Sequence, residues 1–176
     1  MENFEIPSLV IGNDSYQAIA AICTRFGTTA ALLGSPQGLS AAERSIRESC
    51  LWKIAFTGSF SIDRETASTL CEKREILAAD MLFAAGGEDV MSLSLKISRV
   101  LKKPVFAFIT DPSALPLLFA GCAGPSTAET LEKAAHPVQC FLRPDLMPDL
   151  TLPLLKSRLL ELFHAQLAAV TEALSR

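Results

Sequence analysis

The sequence predicts an α/β fold: a Rossmann-like open parallel sheet with flanking helices, followed by a C-terminal amphipathic helix. Apolar runs of strand length alternate with segments of helical period, and several runs are apolar at consecutive positions. Consecutive apolar positions are typical of strands that a parallel sheet buries on both faces. The predicted strands are Ile6–Ile11, Ala30–Gly34, Trp52–Thr57, Met81–Ala85, Val105–Thr110 and Val138–Leu142.

Helix starts can be read in the segments between these strands. Residues 40–43 and 126–129 both read Ser-x-x-Glu, the capping box in which Ser accepts from the N3 amide and Glu reaches back. Asp63 can cap a helix that carries residues 66–73. Gly87 precedes a further helix that ends near residue 101. Because helices separate the strands, we expect parallel pairing through right-handed crossovers.

Composition sets the class of protein and excludes several partners. The chain of 176 residues is 49% hydrophobic and 20% charged, which indicates a globular protein. Its net charge of −3 gives no footprint for nucleic acid or an anionic membrane. There is neither a membrane-spanning apolar run nor a signal peptide. We therefore expect a cytoplasmic protein without nucleic-acid or membrane partners, whose five scattered cysteines are buried thiols.

Three loops follow predicted strands and are candidate ligand sites. They are residues 34–38, 85–89 and 110–114. In open α/β sheets a ligand binds outside the carboxyl ends of the strands, where glycine lets the backbone approach a phosphate and a helix N-terminus offers N–H groups. Taken alone, a Gly-Gly pair favours the interpretation as a tight strand-to-helix turn, and the ligand site is the other interpretation. The candidate cofactor-binding residues are Ser35, Gly86, Gly87, Glu88, Thr110 and Ser113.

The order of these segments resembles a known family. Residues 4–15, 56–65, 79–88 and 103–113 are similar, in that order, to strands and loops of the glycerol dehydrogenase branch of the iron-containing alcohol dehydrogenases, relatives of dehydroquinate synthase. The resemblance covers residues 4–150 and implies a nucleotide-binding domain with NAD or NADP as cofactor. It divides the chain into that domain, 1–150, and a C-terminal helix, 151–176, that remains from the start of the family's helical domain.

The phosphate loop departs from the family pattern. Where the family has three glycines, this chain has Glu88 in the third position or Ala85 in the first. A carboxylate at Glu88 would face a bound pyrophosphate, and like charges repel strongly in a poorly solvated site. Ser35 stands where an acidic residue commonly holds the adenosine ribose. The resemblance is therefore to a degenerate member.

No catalytic residue and no metal ligand is predicted. The resembled family holds zinc or iron with an Asp and two His residues of a helical domain. The corresponding Asp motif is replaced around residues 159–163, and His136 and His164 are too few for a site with three or four ligands. We expect the chain by itself to have no dehydrogenase activity. A non-catalytic protein that binds a nucleotide or phosphometabolite, or an assembly protein with a vestigial pocket, is the alternative.

The last segment carries an apolar stripe at steps of three and four residues between positions 155 and 174. This stripe either packs back on the domain or pairs with its copy in a homodimer. The prediction for assembly is a homodimer through the 155–174 helix.

Overall fold

The computed structural model describes residues 8–49, 53–59, 67–115 and 137–147, and seven single positions between 151 and 171. Six parallel strands form one sheet in the order β1-β6-β5-β4-β2-β3. The predicted α/β class is confirmed. The strands are β1 Ser8–Ile11, β2 Thr29–Gly34, β3 Lys53–Ser59, β4 Met81–Gly86, β5 Val105–Ile109 and β6 Gln139–Leu142.

Helices connect the strands in the described part of the chain. They are α1 Ile19–Cys23, α2 Pro36–Ser49, α3 Ala67–Cys71, α4 Arg74–Ala78 and α5 Glu88–Leu101, with 3₁₀ turns at Ser15–Ala18, Pro112–Ala114 and Pro144–Leu146. As predicted, Gly87 is the residue that precedes the helix after β4.

The chain changes direction across the sheet between β2 and β4. From β2 it moves outward to β3, then returns to place β4 on the other side of β2, and continues outward to β5 and β6. Gly34 at the end of β2 is thereby paired with Ala85 near the end of β4. Such a reversal opens a crevice at the carboxyl ends of the two central strands, because their following helices leave on opposite faces.

Helices cover both faces of the sheet. On one face α1 and α2 pack against a layer of aromatic side chains that includes Phe83, Phe106, Phe108 and Phe141. On the other face α3, α4 and α5 pack against smaller side chains of the same strands. All six residues of β4 are buried. This two-sided burial explains why the strands read as continuous apolar runs.

The predicted start of α2 at residue 40 was wrong. The helix begins at Pro36, and the Ser35 hydroxyl accepts a hydrogen bond of 2.9 Å from the amide of Gly38. Proline suits the first helical position because its fixed φ is already helical and the amide that it lacks would have no intrahelical acceptor. The Ser-x-x-Glu pattern at residues 40–43 therefore lies inside the helix.

The predicted helix over residues 66–73 was also wrong in its extent. Two short helices, α3 and α4, replace it, and Lys73 between them is extended, with φ −68° and ψ 122°. The cap predicted at Asp63 and the capping box at 126–129 lie outside the described residues.

Asp80 joins β2 to β4 at the amino edge of the sheet, opposite the candidate loops. One carboxylate oxygen accepts from the amides of Thr28 and Thr29 and from the Thr29 hydroxyl, at 2.8 to 2.9 Å. These hydrogen bonds, that of the Thr28 amide foremost, hold the pKa of Asp80 below its ordinary value. The Lys103 ammonium donates to the carbonyls of Leu77 and Ala79 at the end of α4.

Three of the five cysteines are described, and all three are buried thiols, as predicted: Cys23, Cys71 and Cys140. Burial raises the pKa of Cys140 to about 12. A thiol with so high a pKa is a poor nucleophile at neutral pH and packs as a small apolar side chain.

The C-terminal segment is described only at single positions. Pro153, Lys156, Ser157, Leu160, His164 and Thr171 are helical and exposed. Leu160, which widens the predicted apolar stripe, is thus exposed, and the stripe residues at the steps of three and four lie outside the described part of the chain. In that part, no helix is long and apolar enough to span a bilayer.

Candidate functional site

Three loops meet at the carboxyl edge of the sheet, and they carry all six predicted site residues. Ser35 follows β2, Gly86 ends β4, and Thr110 follows β5. Since β2, β4 and β5 are neighbours and parallel, their ends lie side by side. The amide of Thr110 donates to the Gly86 carbonyl at 3.4 Å, which links two of the loops directly. Whether these residues bind a ligand stays a prediction.

The N-terminus of α5 points into this region. The first hydrogen bond of its ladder runs from the amide of Met91 to the carbonyl of Gly87, at 3.2 Å. The amides of residues 88–90 therefore precede the ladder and have no acceptor within the helix. Together with the positive end of the helix dipole, such amides favour an anionic or electronegative group.

One of these amides already has an acceptor from the neighbouring loop. The Ser113 hydroxyl accepts from the Glu88 amide at 3.2 Å. Asp111 holds Ser113 in place, because its Oδ1 accepts from the Ser113 amide at 2.8 Å and caps the 3₁₀ turn that follows. The loop after β5 thus lies against the start of α5.

Packing within the protein leaves little room for a Cβ at Gly87 or at Gly38, which lies in the first turn of α2. A Cβ on Gly87 would lie 2.5 Å from the Ser113 hydroxyl oxygen, and one on Gly38 would lie 2.3 Å from the Ala85 carbonyl oxygen. The Ser113 side chain would have to move in the first case, and the backbone in the second. The close approach of α2 to β4 and of the β5 loop to α5 therefore accounts for these glycines. That result favours the interpretation of the Gly-Gly pair as a tight turn.

The charge around the loops is acidic. The side chains of Glu88 and Asp89, in the first turn of α5, are exposed, as is Asp111. Ser35 and Thr110, in the loops after β2 and β5, are half-buried. Carboxylates at a helix N-terminus stabilise the helix through its dipole, but they repel an anionic ligand that approaches the same amides.

A second polar group, Tyr16, Arg143 and Asp145, lies at the carboxyl ends of β1 and β6. The guanidinium of Arg143 donates to both carboxylate oxygens of Asp145, at 3.1 Å and 2.5 Å, and lies 5.2 Å from the centre of the Tyr16 ring. The sequence patterns did not indicate Tyr16 or Arg143 as functional. The available signal was the Arg-Pro-Asp triplet directly after a predicted strand.

The described residues do not form a metal centre. Nowhere in the ranges that the structure describes do three or more His, Cys, Asp or Glu side chains converge on a position that could hold an ion. His164 is exposed, and His136 lies outside the described ranges. A zinc or iron ion needs three or four converging protein ligands, so these residues do not fit the metal that the resembled family carries.

Comparison with known proteins defines the architecture. No family model matches the chain, and no curated protein matches its sequence. Solved structures do match. Glycerol dehydrogenase from Schizosaccharomyces pombe matches with a TM-score of 0.60 at 14% identity, over 84% of this chain and 40% of its own. The iron-containing alcohol dehydrogenase from Corynebacterium glutamicum matches with a TM-score of 0.62 at 14% identity, over 86% and 44%.

A third match holds a cofactor. Sulfoacetaldehyde reductase from Bifidobacterium kashiwanohense, solved in complex with NAD⁺, has a TM-score of 0.62 at 14% identity, over 85% of this chain and 47% of its own. The chain thus spans less than half the length of these three enzymes. The predicted resemblance is confirmed for the fold: this is an α/β domain built like part of the glycerol and iron-containing alcohol dehydrogenases.

Proposed function

We propose that this chain is an oxidoreductase-like domain that binds NAD or NADP and has no dehydrogenase activity of its own. The observation that carries the proposal is the reversal of strand order between β2 and β4. The loops after these strands diverge into α2 and α5 on opposite faces, and nucleotides in α/β sheets bind at such points. The fold shared with a reductase solved with NAD⁺ supports the same proposal.

The donor set at the crevice suits the phosphates and riboses of a dinucleotide. The amides of residues 88–90 would bind phosphate oxygens, and the hydroxyls of Ser35, Thr110 and Ser113 would bind phosphate or ribose. A bound nicotinamide dinucleotide supplies hydride transfer. The chain's own residues would bind and orient it.

Two features of the crevice lower the expected affinity. The Ser113 hydroxyl already accepts the hydrogen bond of the Glu88 amide, so a phosphate oxygen must displace this hydroxyl before the amide can bind it. The carboxylates of Glu88, Asp89 and Asp111 also repel the pyrophosphate. We therefore expect weaker binding than in a dinucleotide enzyme whose phosphate loop is uncharged.

The proposed lack of dehydrogenase activity rests on the premise that catalysis in this fold requires a metal ion. The described residues offer no set of converging ligands for it. Such an ion would polarise the oxygen of an alcohol substrate, and the described residues do not hold one. The second candidate function is an assembly protein with a vestigial pocket, and the packing role of Gly38 and Gly87 favours it.

A thermal-unfolding titration with NAD, NADP and ADP tests binding. A ligand at 100 times its Kd adds about 2.7 kcal/mol of stability. The matched variants are Ser113→Asp, which adds a charge against the pyrophosphate, and Ser40→Asp, an exposed position on α2. We expect Ser113→Asp to abolish the stabilisation and Ser40→Asp to retain it. If no nucleotide stabilises the wild-type chain at millimolar concentration, the vestigial pocket is the better description.

Activity needs a separate assay. Purified chain with glycerol or simple alcohols, NAD and zinc is expected to reduce NAD no faster than the background. Turnover that disappears on addition of a chelator would contradict this part of the proposal.

A further inference from the structure

The polar group of Tyr16, Arg143 and Asp145 is not part of the proposed nucleotide site. It lies at the carboxyl ends of β1 and β6, on the same edge of the sheet as the crevice. β6 is the neighbour of β5, and Ile109 pairs with Leu142 directly before the two loops. The group therefore lies beyond the loop after β5, at the side of the edge away from β2.

Arg143 is the one cation among the described residues of the loops that follow the strands. The same loops and the first turn of α5 carry several carboxylates, at Asp14, Glu88, Asp89, Asp111 and Asp145. Among the described loop residues, an anionic group of a ligand at this edge thus has one positive charge available to it.

The guanidinium of Arg143 has hydrogen-bond donors to spare. The Asp145 carboxylate accepts hydrogen bonds from Nε–H and from one N–H of Nη2. A guanidinium carries five N–H donors in a planar fork, so three are left for a second acceptor. The pair is also partly open to solvent, since the side chains of Arg143 and Asp145 are 19% and 36% exposed.

Tyr16 adds a donor that has no acceptor. Its side chain is 1% exposed, and its hydroxyl makes no hydrogen bond with any residue that the structure describes. Its ring packs edge-on against Phe108, with the Arg143 guanidinium over its face. Burial raises the pKa of Tyr16, so the phenol is protonated and can donate. A buried polar group without a partner is rare in native folds, and a bound group is one way to complete it.

We propose that Arg143 and Tyr16 bind a small oxyanion, the carboxylate or phosphate group of a ligand, at the carboxyl ends of β1 and β6. The Arg143 guanidinium can only donate and the Tyr16 hydroxyl is a protonated donor, so an acceptor suits both, and a planar or tetrahedral oxyanion matches the guanidinium fork. Asp145 acts as the internal competitor for Arg143. Where the proposed function holds, this subsite gives the chain a preference for a second ligand that carries an acidic group.

The test is an NMR titration of the full chain with acetate and, separately, with inorganic phosphate. We expect saturable shifts of the Arg143 side-chain Nε–H and of the amides of residues 143–147. Acetate binding identifies a carboxylate subsite, and phosphate binding a phosphate subsite. Asp145→Asn releases Arg143 and should tighten binding about tenfold, whereas Arg143→Gln should weaken it at least about tenfold.

Two further variants complete the test. Tyr16→Phe should weaken binding several-fold while leaving thermal stability unchanged or higher, because it removes a buried hydroxyl without a partner. Arg44→Gln is the matched control, since Arg44 forms a similar ion pair with Glu48 on the exposed face of α2. If Arg143→Gln fails to fold, the comparison of Asp145→Asn with wild type carries the test.

The proposal is overturned if neither anion shifts the Arg143 signals in wild type and Asp145→Asn, or if all variants bind equally. A parallel titration with NAD separates the two proposals. Anion binding without NAD binding would support the oxyanion subsite and contradict the nucleotide function. NAD binding without anion binding would contradict the oxyanion subsite and leave the nucleotide function supported.

Discussion

The hydroxyl of Ser113 lies 3.2 Å from the amide nitrogen of Glu88 and accepts its hydrogen. This bond connects the loop after β5 to the start of α5 after β4, through two residues that are 25 positions apart in sequence. It gives the first residue of α5 an acceptor that the helix cannot supply. The start of α5 is therefore capped by another loop of the same protein.

Replacing Ser113 by Ala should show how much the start of α5 depends on this cap. Loss of a capping oxygen costs about 0.5–2 kcal/mol of unfolding free energy. We expect this loss in urea denaturation, together with faster hydrogen exchange of the Glu88 amide. Ser40→Ala, at an exposed position inside α2, should neither lower the unfolding free energy nor speed exchange of the Glu88 amide. Unchanged exchange at Glu88 in Ser113→Ala would contradict the bond.

Glu88→Gln should move binding and stability in opposite directions. Removing the carboxylate relieves its repulsion of a pyrophosphate, so nucleotide affinity should rise about two- to fivefold. It also removes a favourable interaction with the dipole of α5, so unfolding free energy should fall by about 0.3–1 kcal/mol. Calorimetric titration and urea denaturation measure the two effects.

The control for that prediction is Glu48→Gln in the last turn of α2, on an exposed side chain paired with Arg44. It should leave nucleotide affinity unaltered. If Glu88→Gln binds more weakly than wild type, the carboxylate contributes to binding and the argument from repulsion fails.

Asp80→Asn should make stability less dependent on acid pH. The folded pKa of Asp80 is lowered, so its contribution to stability is present above the unfolded value of about 3.9 and is lost as pH falls through the lower folded value. Wild type should exceed Asp80→Asn by about 1 kcal/mol at pH 7, a modest value because the carboxylate is exposed. The gap should narrow as pH falls below the unfolded value and close once pH is below the lower folded value. An equal gap at pH 7 and pH 2.5 would disprove the assignment.

Gly38→Ala should be destabilising although Gly38 lies in a helix. Its Cβ would meet the Ala85 carbonyl oxygen at 2.3 Å, and overpacking of this kind costs about 1–3 kcal/mol. Ala at exposed Ser40, two residues on, has only its helix propensity to change and should be neutral or slightly stabilising. Thermal unfolding of the two variants gives the comparison. Equal stabilities would mean that α2 can shift away from β4.

For the C-terminal segment we expect a homodimer through residues 155–174. Leu159→Glu with Leu162→Glu, both on the predicted apolar stripe, should convert a dimer to a monomer in light scattering. Lys156→Glu is the control, because Lys156 is an exposed residue of the same segment and lies off that stripe. A wild-type chain that is monomeric at high micromolar concentration ends this hypothesis.

The strands were the most predictable part of the fold. Consecutive apolar residues in β4 and β5 directly reflect burial on both faces, which is a property of the segment itself. The place of each strand in the sheet is not a property of the segment, so the sequence did not predict it. Nothing in residues 8–11 indicates that β1 lies beside β6 rather than β2, because pairing of distant segments depends on how both helical layers pack.

The helix starts show a different limit. Ser35-Pro36 and Ser40-x-x-Glu43 are both valid start signals five residues apart. Tertiary packing decided between them, since Gly38 in the first turn lets α2 lie directly against β4. Similarly, the sequence grouped Gly87 and Ser113 in one predicted site. It could not reveal that the Ser113 hydroxyl binds the helix amide, because that contact depends on the side-by-side placement of β4 and β5.

The complete burial of β4 also has a kinetic consequence. A strand with neighbours on both sides and helices on both faces has no route to solvent except global unfolding, so its amides should be among the slowest to exchange. The turn at residues 86–87 is attached to that slow unit, whereas the loop after β5 ends in a short turn. On the timescale of ligand exchange, motion at this edge should therefore come from the Ser113 side, with the start of α5 as the fixed reference.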